Sequence, residues 1–286
     1  MALVVNSNLS SLNALNNLNR TNGNLSDTFG RISSGLRINK AADDAAGLAV
    51  AENLDAGVRS LGMAKRNTND GIAVVQVAEG ATNEVAEILK RMRELAVQSS
   101  SETLESTERD YVQTEYTQLK DEIDRIATVT EFNGIGLTRG TASHSSVEGK
   151  QNVDVQVGMY NTTDDRIDIS LGDLTTVSGL GMTGANSVSM STAASAQQAI
   201  TIIDNALDTV NTYRSTYGAV QNRLDSAVRS LDTYSENLKA AESQIRDADF
   251  AHEAAEMSKQ QIMQQAGTAI LGQANQINQG ALRLIG

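Results

Sequence analysis

None of the 286 residues is proline, and apolar residues recur at three- and four-residue steps through most of the chain. Proline is the residue that most reliably breaks a helix interior, because it lacks the N–H and clashes with the preceding turn. Its absence leaves room for very long helices, and the apolar spacing says where they lie. Ala81, Val85, Ile88, Met92 and Leu95 alternate steps of four and three, as do Val112, Tyr116, Leu119, Ile123 and Ile126. From Ile203 through Leu207, Val210, Tyr213, Tyr217, Val220, Leu224, Val228, Leu231 and Tyr234 to Leu238 the mean step is 3.5 residues. Each set is the seam of a helix packed along another. A helix from about Ala45 to Gln98 would be roughly 80 Å long at 1.5 Å per residue, so a mainly α, antiparallel coiled-coil rod is expected.

The middle of the chain has a different period. The stretch EFNGIGL at 131–137 carries Asn133, Gly134 and Gly136 and reads as a turn. Residues 152–171 alternate apolar and polar on both sides of MYNTTDD, so Val153, Val155 and Val157 should face Ile167 and Ile169 in a β-hairpin. Residues 172–195 are rich in Ser, Thr and Gly and are expected to form a surface connector.

Charge and composition exclude several functions. The net charge is −12 and no Lys/Arg stripe breaks it, which argues against a nucleic-acid partner, whose phosphates need clustered cations. No apolar run approaches a membrane span. The first basic residue is Arg20 and the longest early apolar run is Ala2–Val5, so no cleaved secretory signal is expected. With no cysteine there are no disulfides and no thiolate metal sites.

The two ends raise the question of assembly. Leu9, Leu12, Leu15 and Leu18 recur every third residue among Asn and Ser, followed by Leu25, Phe29, Ile32 and Leu36. At the other end, Ile262, Ala266, Ile270, Ala274, Ile277, Ala281 and Leu284 form a similar amide-rich series. The two segments are expected to pair as helices. A pair of helices encloses little core, so the remaining apolar surface must be covered by other molecules. Contacts of that kind are heterologous and continue into a filament when the rotation does not close. Short ends of this sort do not offset their ordering entropy alone and are expected to become helical on assembly.

Four long blocks carry a resemblance: RISSGLRINKAADDAAGLAVAENL (31–54), RMRELAVQSS (91–100), EIDRIATVTEFNG (122–134) and IRDADFAHEAAEMSKQQIMQQAGTAILGQANQ (245–276). In this order they resemble bacterial flagellin, over nearly the whole chain except about 172–195. The resemblance implies a structural subunit of the flagellar filament rather than an enzyme, exported unfolded and stacked into a hollow helical tube outside the cell. It implies an inner domain of residues 1–42 with 247–286, and an outer rod domain of 43–171 with 195–246. Residues 172–194 would be a short connector in place of the extra outer domains of larger flagellins. Polymerisation is assigned to Leu9, Leu12, Leu15, Leu18, Leu25, Phe29, Ile32, Ile262, Ile270, Ile277 and Leu284. The implied partners are other flagellin subunits, an export chaperone, the filament cap and the hook-junction proteins. No cofactor or metal is implied. The hairpin would take part in switching between subunit packings.

The same resemblance makes the monomer a ligand of Toll-like receptor 5 through Arg91, Leu95 and Glu115; from the residues alone, RMRELAVQ is a solvated face with Glu87–Arg91 and Lys90–Glu94 pairs. Asp43 and Asp44 read as helix-capping carboxylates. HEAAE at 252–256 lacks the second histidine of a zinc-protease motif, and reads as solvated polar residues. Ser and Thr at 141–146 and 187–195 read as loop solvation, with O-glycosylation as the sharper alternative. The other functions weighed are a hook–filament junction protein, which shares the terminal helices, and a filament-displayed enzyme, for which two lone histidines offer no catalytic constellation.

Overall fold

The computed structural model describes residues 8–140, 148–149, 151–182 and 189–283; the side chains of 148–149 and 277–283 lie outside that description. Among the described residues, five helices and five short strands follow in the order α1 (Leu9–Ser34), α2 (Ala45–Ser99), α3 (Ser106–Val129), β1 (Glu131–Phe132), β2 (Ile135–Gly136), β3 (Glu148–Gly149), β4 (Asn152–Gln156), β5 (Arg166–Ser170), α4 (Ala193–Arg246) and α5 (Phe250–Arg283). The chain forms two compact units, residues 1–58 with 236–286 and residues 59–235. The fold is mainly α, as the periodicity requires.

In the unit of residues 59–235 the heptad seams meet as expected. Val85, Leu89, Met92 and Leu95 of α2 pack with Val112, Tyr116 and Ile123 of α3 and with Ile203, Ala206 and Val210 of α4. The helix ends are specified locally. A reciprocal capping box of Glu105 and Glu108 starts α3, and Thr192 and Ser195 bond each other's backbone N–H groups, at 3.2 Å each, to start α4. Part of the Ser/Thr cluster at 187–195 therefore starts a helix rather than merely solvating a loop, while residues 141–146 lie outside the described residues.

EFNGIGL closes as a two-residue hairpin. Asn133 and Gly134 both take positive φ, 50° and 77°, the combination that matches the twist of the flanking strands and that Asn-Gly tolerates best. β1 pairs antiparallel with β2, and β2 pairs parallel with β3. In the larger hairpin Val153 lies opposite Ile169 and Val155 opposite Ile167, as expected, whereas Val157 falls beyond β4 and its N–H donates to the Asp165 carbonyl (2.8 Å). Its apolar face lies on Val74, Val75 and Ala78 of α2 and on Tyr217, Val220 and Leu224 of α4. Gly71 permits the approach: a Cβ there would sit 2.9 Å from Val155 Cγ2.

The segment after the hairpin differs from expectation. In place of a surface connector, it sends Leu174, Leu180, Met182 and Met190 into the α2–α3–α4 core. Asp124 on α3 anchors it, accepting from the Thr176 N–H at 2.8 Å and the Thr176 hydroxyl at 2.7 Å. Gln113 Oε1 accepts from the Met190 N–H at 2.6 Å. A few apolar residues at irregular spacing have no period to announce them, and only contacts distant in sequence bury them.

In the other unit α1 and α5 run antiparallel. Asn8 donates to the Ala274 carbonyl (3.0 Å), Gln264 donates to Asn22 Oδ1 (2.8 Å), and Arg31 meets Glu253 (3.3 Å). Where α1 ends, the chain bonds to the α4–α5 link: the Arg37 N–H donates to the Arg246 carbonyl (2.7 Å) and the Ala248 N–H to the Gly35 carbonyl (3.0 Å).

The loop before α2 carries the two aspartates. Asp44 Oδ1 accepts from the Gly47 N–H at 2.9 Å, capping α2. Asp43 instead closes the preceding turn, accepting from the Asn39 and Lys40 N–H groups at 3.1 and 2.9 Å.

Candidate assembly and recognition surfaces

The paired terminal helices bury an unexpected set of residues. Between them lie Thr21, Thr28, Glu253, Gln260 and Ala274, with Leu18, Leu25 and Ile32 half-buried. The leucine row does not form one face. Exposure is 68% at Leu9, 54% at Leu12 and 42% at Leu15, and Leu18 is the first of the row to turn inward, over Gly267. The cause is helix geometry. At about 100° per residue, three-residue steps fall 60° short of a full turn each time, so Leu9 and Leu18 point to opposite sides.

The C-terminal series drifts the other way. Its four-residue steps overshoot by about 40°, so Ile262 and Ile270 stay 66% and 59% exposed while Ala274 is buried. Phe29 and Met263 are exposed as well. The expected pairing of the two ends is present, but the two apolar series do not face each other: each helix has an inward seam at heptad spacing and a separate outward apolar row. The side chain of Ile277, and Leu284, lie outside the described residues.

HEAAE holds a second difference. His252 is exposed, but Glu253 is only 6% exposed and bonds Arg31 across the seam, so this carboxylate is not a solvated group. Glu256 accepts from Gln260 (2.7 Å) and Lys259, and these hydrogen bonds hold its pKa below the ordinary carboxylate value. Among the described residues no cluster of three His, Cys, Asp or Glu side chains could hold a metal ion.

The block RMRELAVQ presents charge above core. Arg91 donates to Glu115 of α3 (2.9 Å from Nε, with Nη2 at 2.8 Å) and to Glu94 (3.0 Å). Bonding to Glu115 first, then to Glu94, raises the Arg91 pKa further. The expected i,i+4 pairs are replaced by i,i+3 pairs, Lys90 with Glu87 and Arg91 with Glu94, because Arg91 turns toward α3. Arg91 and Glu115 are exposed, whereas Leu95 is buried in the core at 2% exposure. Arg93 pairs separately with Asp204 of α4 (2.6 Å).

The pattern of long helices, hairpin and paired ends has known counterparts. The model for the bacterial flagellin N-terminal helical region matches residues 5–143, and that for the bacterial flagellin C-terminal helical region matches residues 200–285. The chain belongs to the flagellin family. It is similar to the flagellar filament core protein flaB2 of Brachyspira hyodysenteriae, 39% identical over 99% of this chain and 100% of that one. A flagellin from Halalkalibacterium halodurans is 41% identical over the same shares. A putative flagellar hook-associated protein from Vibrio parahaemolyticus has a TM-score of 0.58 over 72% of this chain and 100% of its own, at 16% identity, a likeness of fold alone. As a flagellin-family chain, the protein is a structural subunit of the flagellar filament and not an enzyme. Among the described residues no helix is long and apolar enough to cross a membrane.

Proposed function

We propose that this flagellin-family subunit assembles itself into a hollow helical tube through α1 and α5, and that the outward rows Leu9, Leu12, Leu15, Phe29, Ile262 and Ile270 are covered by neighbouring copies. Leu18, Leu25 and Ile32 act within the subunit, holding the two helices together so that the rows are displayed. Ile277 and Leu284 continue the C-terminal series. The observation that carries the reading is the exposure of these large apolar side chains beside a seam built of Thr, Gln and Glu. A chain whose own core were the goal would have turned the leucines inward.

In this reading residues 1–42 with 247–286 form the inner polymerisation domain and 43–171 with 195–246 the outer rod. The chain is exported unfolded, held by an export chaperone, and added at the filament tip between cap and hook-junction proteins, outside the cell. The hairpin packed on α2 and α4 biases subunit packing. Electron microscopy of protein depolymerised by heat and then cooled should show tubes, and Leu12→Asp with Ile262→Asp should abolish them while leaving the unit of 59–235 folded. Normal tubes from that double variant would overturn the reading.

We also propose that the monomer is recognised by Toll-like receptor 5 at Arg91 and Glu115, with Leu95 supporting their helices from beneath. The exposed, charge-matched Arg91–Glu115 pair supports this.

A further inference from the structure

Each terminal helix carries an inward seam and a separate outward apolar row, and the subunit must not confuse them. On α1 the inward positions Ala14, Thr21 and Thr28 alternate with Leu18, Leu25 and Ile32. On α5 they are Glu253, Gln260, Gly267 and Ala274, alternating with Met257, Gln264 and Leu271. If apolar burial alone chose the facing, Leu12, Leu15 and Phe29 would serve as well as Leu18, Leu25 and Ile32. Sliding of one helix along the other is opposed by the backbone bonds between residues 35–37 and 246–248. Those bonds hold α1 only at its C-terminal end, where the Gly35 N–H still donates to the Arg31 carbonyl (2.8 Å), and leave the facing of the preceding turns to the side chains.

We propose that Arg31 and Glu253, with the small and polar inward positions, are positioning residues that fix which face of α1 meets α5, and so which rows remain free for neighbouring subunits. This inference rests on the self-assembly reading above. Glu253 is buried and Arg31 meets it at 3.3 Å. Turning α1 by about a third of a turn, the angle that brings the Leu12–Leu15 side inward, would carry Arg31 away and leave a carboxylate buried without its cation, which is strongly unfavourable. Glu256 holds the Gln260 amide at 2.7 Å, so that group is committed as well. The close approach at Gly267, where a Cβ would lie 3.3 Å from Leu18 Cδ1, admits the native facing and is specific to it. A polar residue at an inward position trades strength for a single arrangement in coiled coils generally, and here the alternative it excludes is the subunit's own docking face.

The absence of cysteine makes the facing directly readable by cross-linking in sedimented filaments of the full chain. A Leu18→Cys, Gly267→Cys pair reports the native facing and a Leu15→Cys, Leu271→Cys pair the rotated one. Arg31→Glu alone and Glu253→Arg alone should each lower the native cross-link or the filament yield about tenfold, the factor that 1.4 kcal/mol produces. The swap Arg31→Glu with Glu253→Arg should restore both. Single variants with unchanged filaments and unchanged cross-links would overturn the proposal, and so would a swap that restores neither. Failure of the unmodified chain to form tubes would instead sink the self-assembly reading, so the two failures are distinguishable.

Discussion

Ile270→Ala separates what the subunit needs from what the filament needs. Ile270 is 59% exposed on α5, so the isolated subunit gains little from it, and alanine is the better helix former. The substitution removes three carbons, worth about 2.4 kcal/mol when fully buried at about 0.8 kcal/mol each. Only the part of the side chain still exposed in the subunit remains to be covered on assembly, and 59% of that figure is about 1.4 kcal/mol. If a neighbouring copy covers it fully, the critical concentration for polymerisation should rise about tenfold. Sedimentation of cooled, heat-depolymerised protein over a concentration series measures this, and thermal unfolding of the subunit should be unmoved. Leu89→Ala, in the α2–α3–α4 core with no exposed surface, should do the reverse, costing about 2–5 kcal/mol of subunit stability. A critical concentration within twofold of the parent for Ile270→Ala would refute the assignment of the outward row to an interface, and a marked fall in subunit stability would show that the side chain is already used internally.

Two buried tyrosines should respond with opposite signs to the same change. Tyr217 accepts from the Gly172 N–H at 2.9 Å, so Tyr217→Phe leaves a buried donor unpaired and should lower stability in urea by about 1–2 kcal/mol. The Tyr116 hydroxyl is buried without a hydrogen-bond partner and burial pushes its pKa up, so Tyr116→Phe should be neutral or stabilising by about 1 kcal/mol; a loss there would refute the account. Asp43 is held below its ordinary value of 3.8 by the Lys40 and Asn39 N–H groups. A carboxylate whose pKa folding lowers contributes in full above that ordinary value and is lost as pH falls through the folded value. Amide exchange at Asn39 and Lys40 should therefore quicken only in acid, relative to the rest of the unit, and Asp43→Asn should remove that dependence. Arg91→Ala should sharply reduce Toll-like receptor 5 signalling by the monomer while leaving its thermal unfolding unmoved, since its partners are exposed; undiminished signalling would remove the receptor reading.

What was legible in the sequence was periodic. Val85, Met92 and Leu95, or Ile203 and Val210, repeat closely enough to 3.5 residues that their seams could be placed without a partner in hand, and α2 ends at Ser99, one residue past the expected Gln98. The alternation around Val153, Val155, Ile167 and Ile169 marked the two facing strands in the same way, though not that β4 stops before Val157. The connector failed this test because Leu174, Leu180, Met182 and Met190 follow no period, and a Ser/Thr/Gly background makes four apolar residues look incidental. Glu253 failed for a different reason: a carboxylate on a helix is solvated by default, and only the arrival of Arg31 from 222 residues away makes its burial tolerable.

The leucine row shows why counting apolar residues is weaker than following their angle. A row at steps of three looks like a stripe in text, yet its members sweep half-way around the helix between Leu9 and Leu18. That sweep gives one short helix two sides, with Leu18 and its heptad relatives turned to α5 and Leu9, Leu12 and Leu15 turned away, free for the second neighbour of the proposed assembly. A strict heptad would have given a tighter pair and nothing left to bind a neighbour. The polar seam follows from the same requirement. Were Glu253 and Gln260 leucines, α5 would accept either side of α1, and on the proposed assembly the subunit could satisfy itself with the surface its filament needs. On the proposed assembly, the polar seam within the subunit is thus what keeps the outward rows free for neighbouring copies.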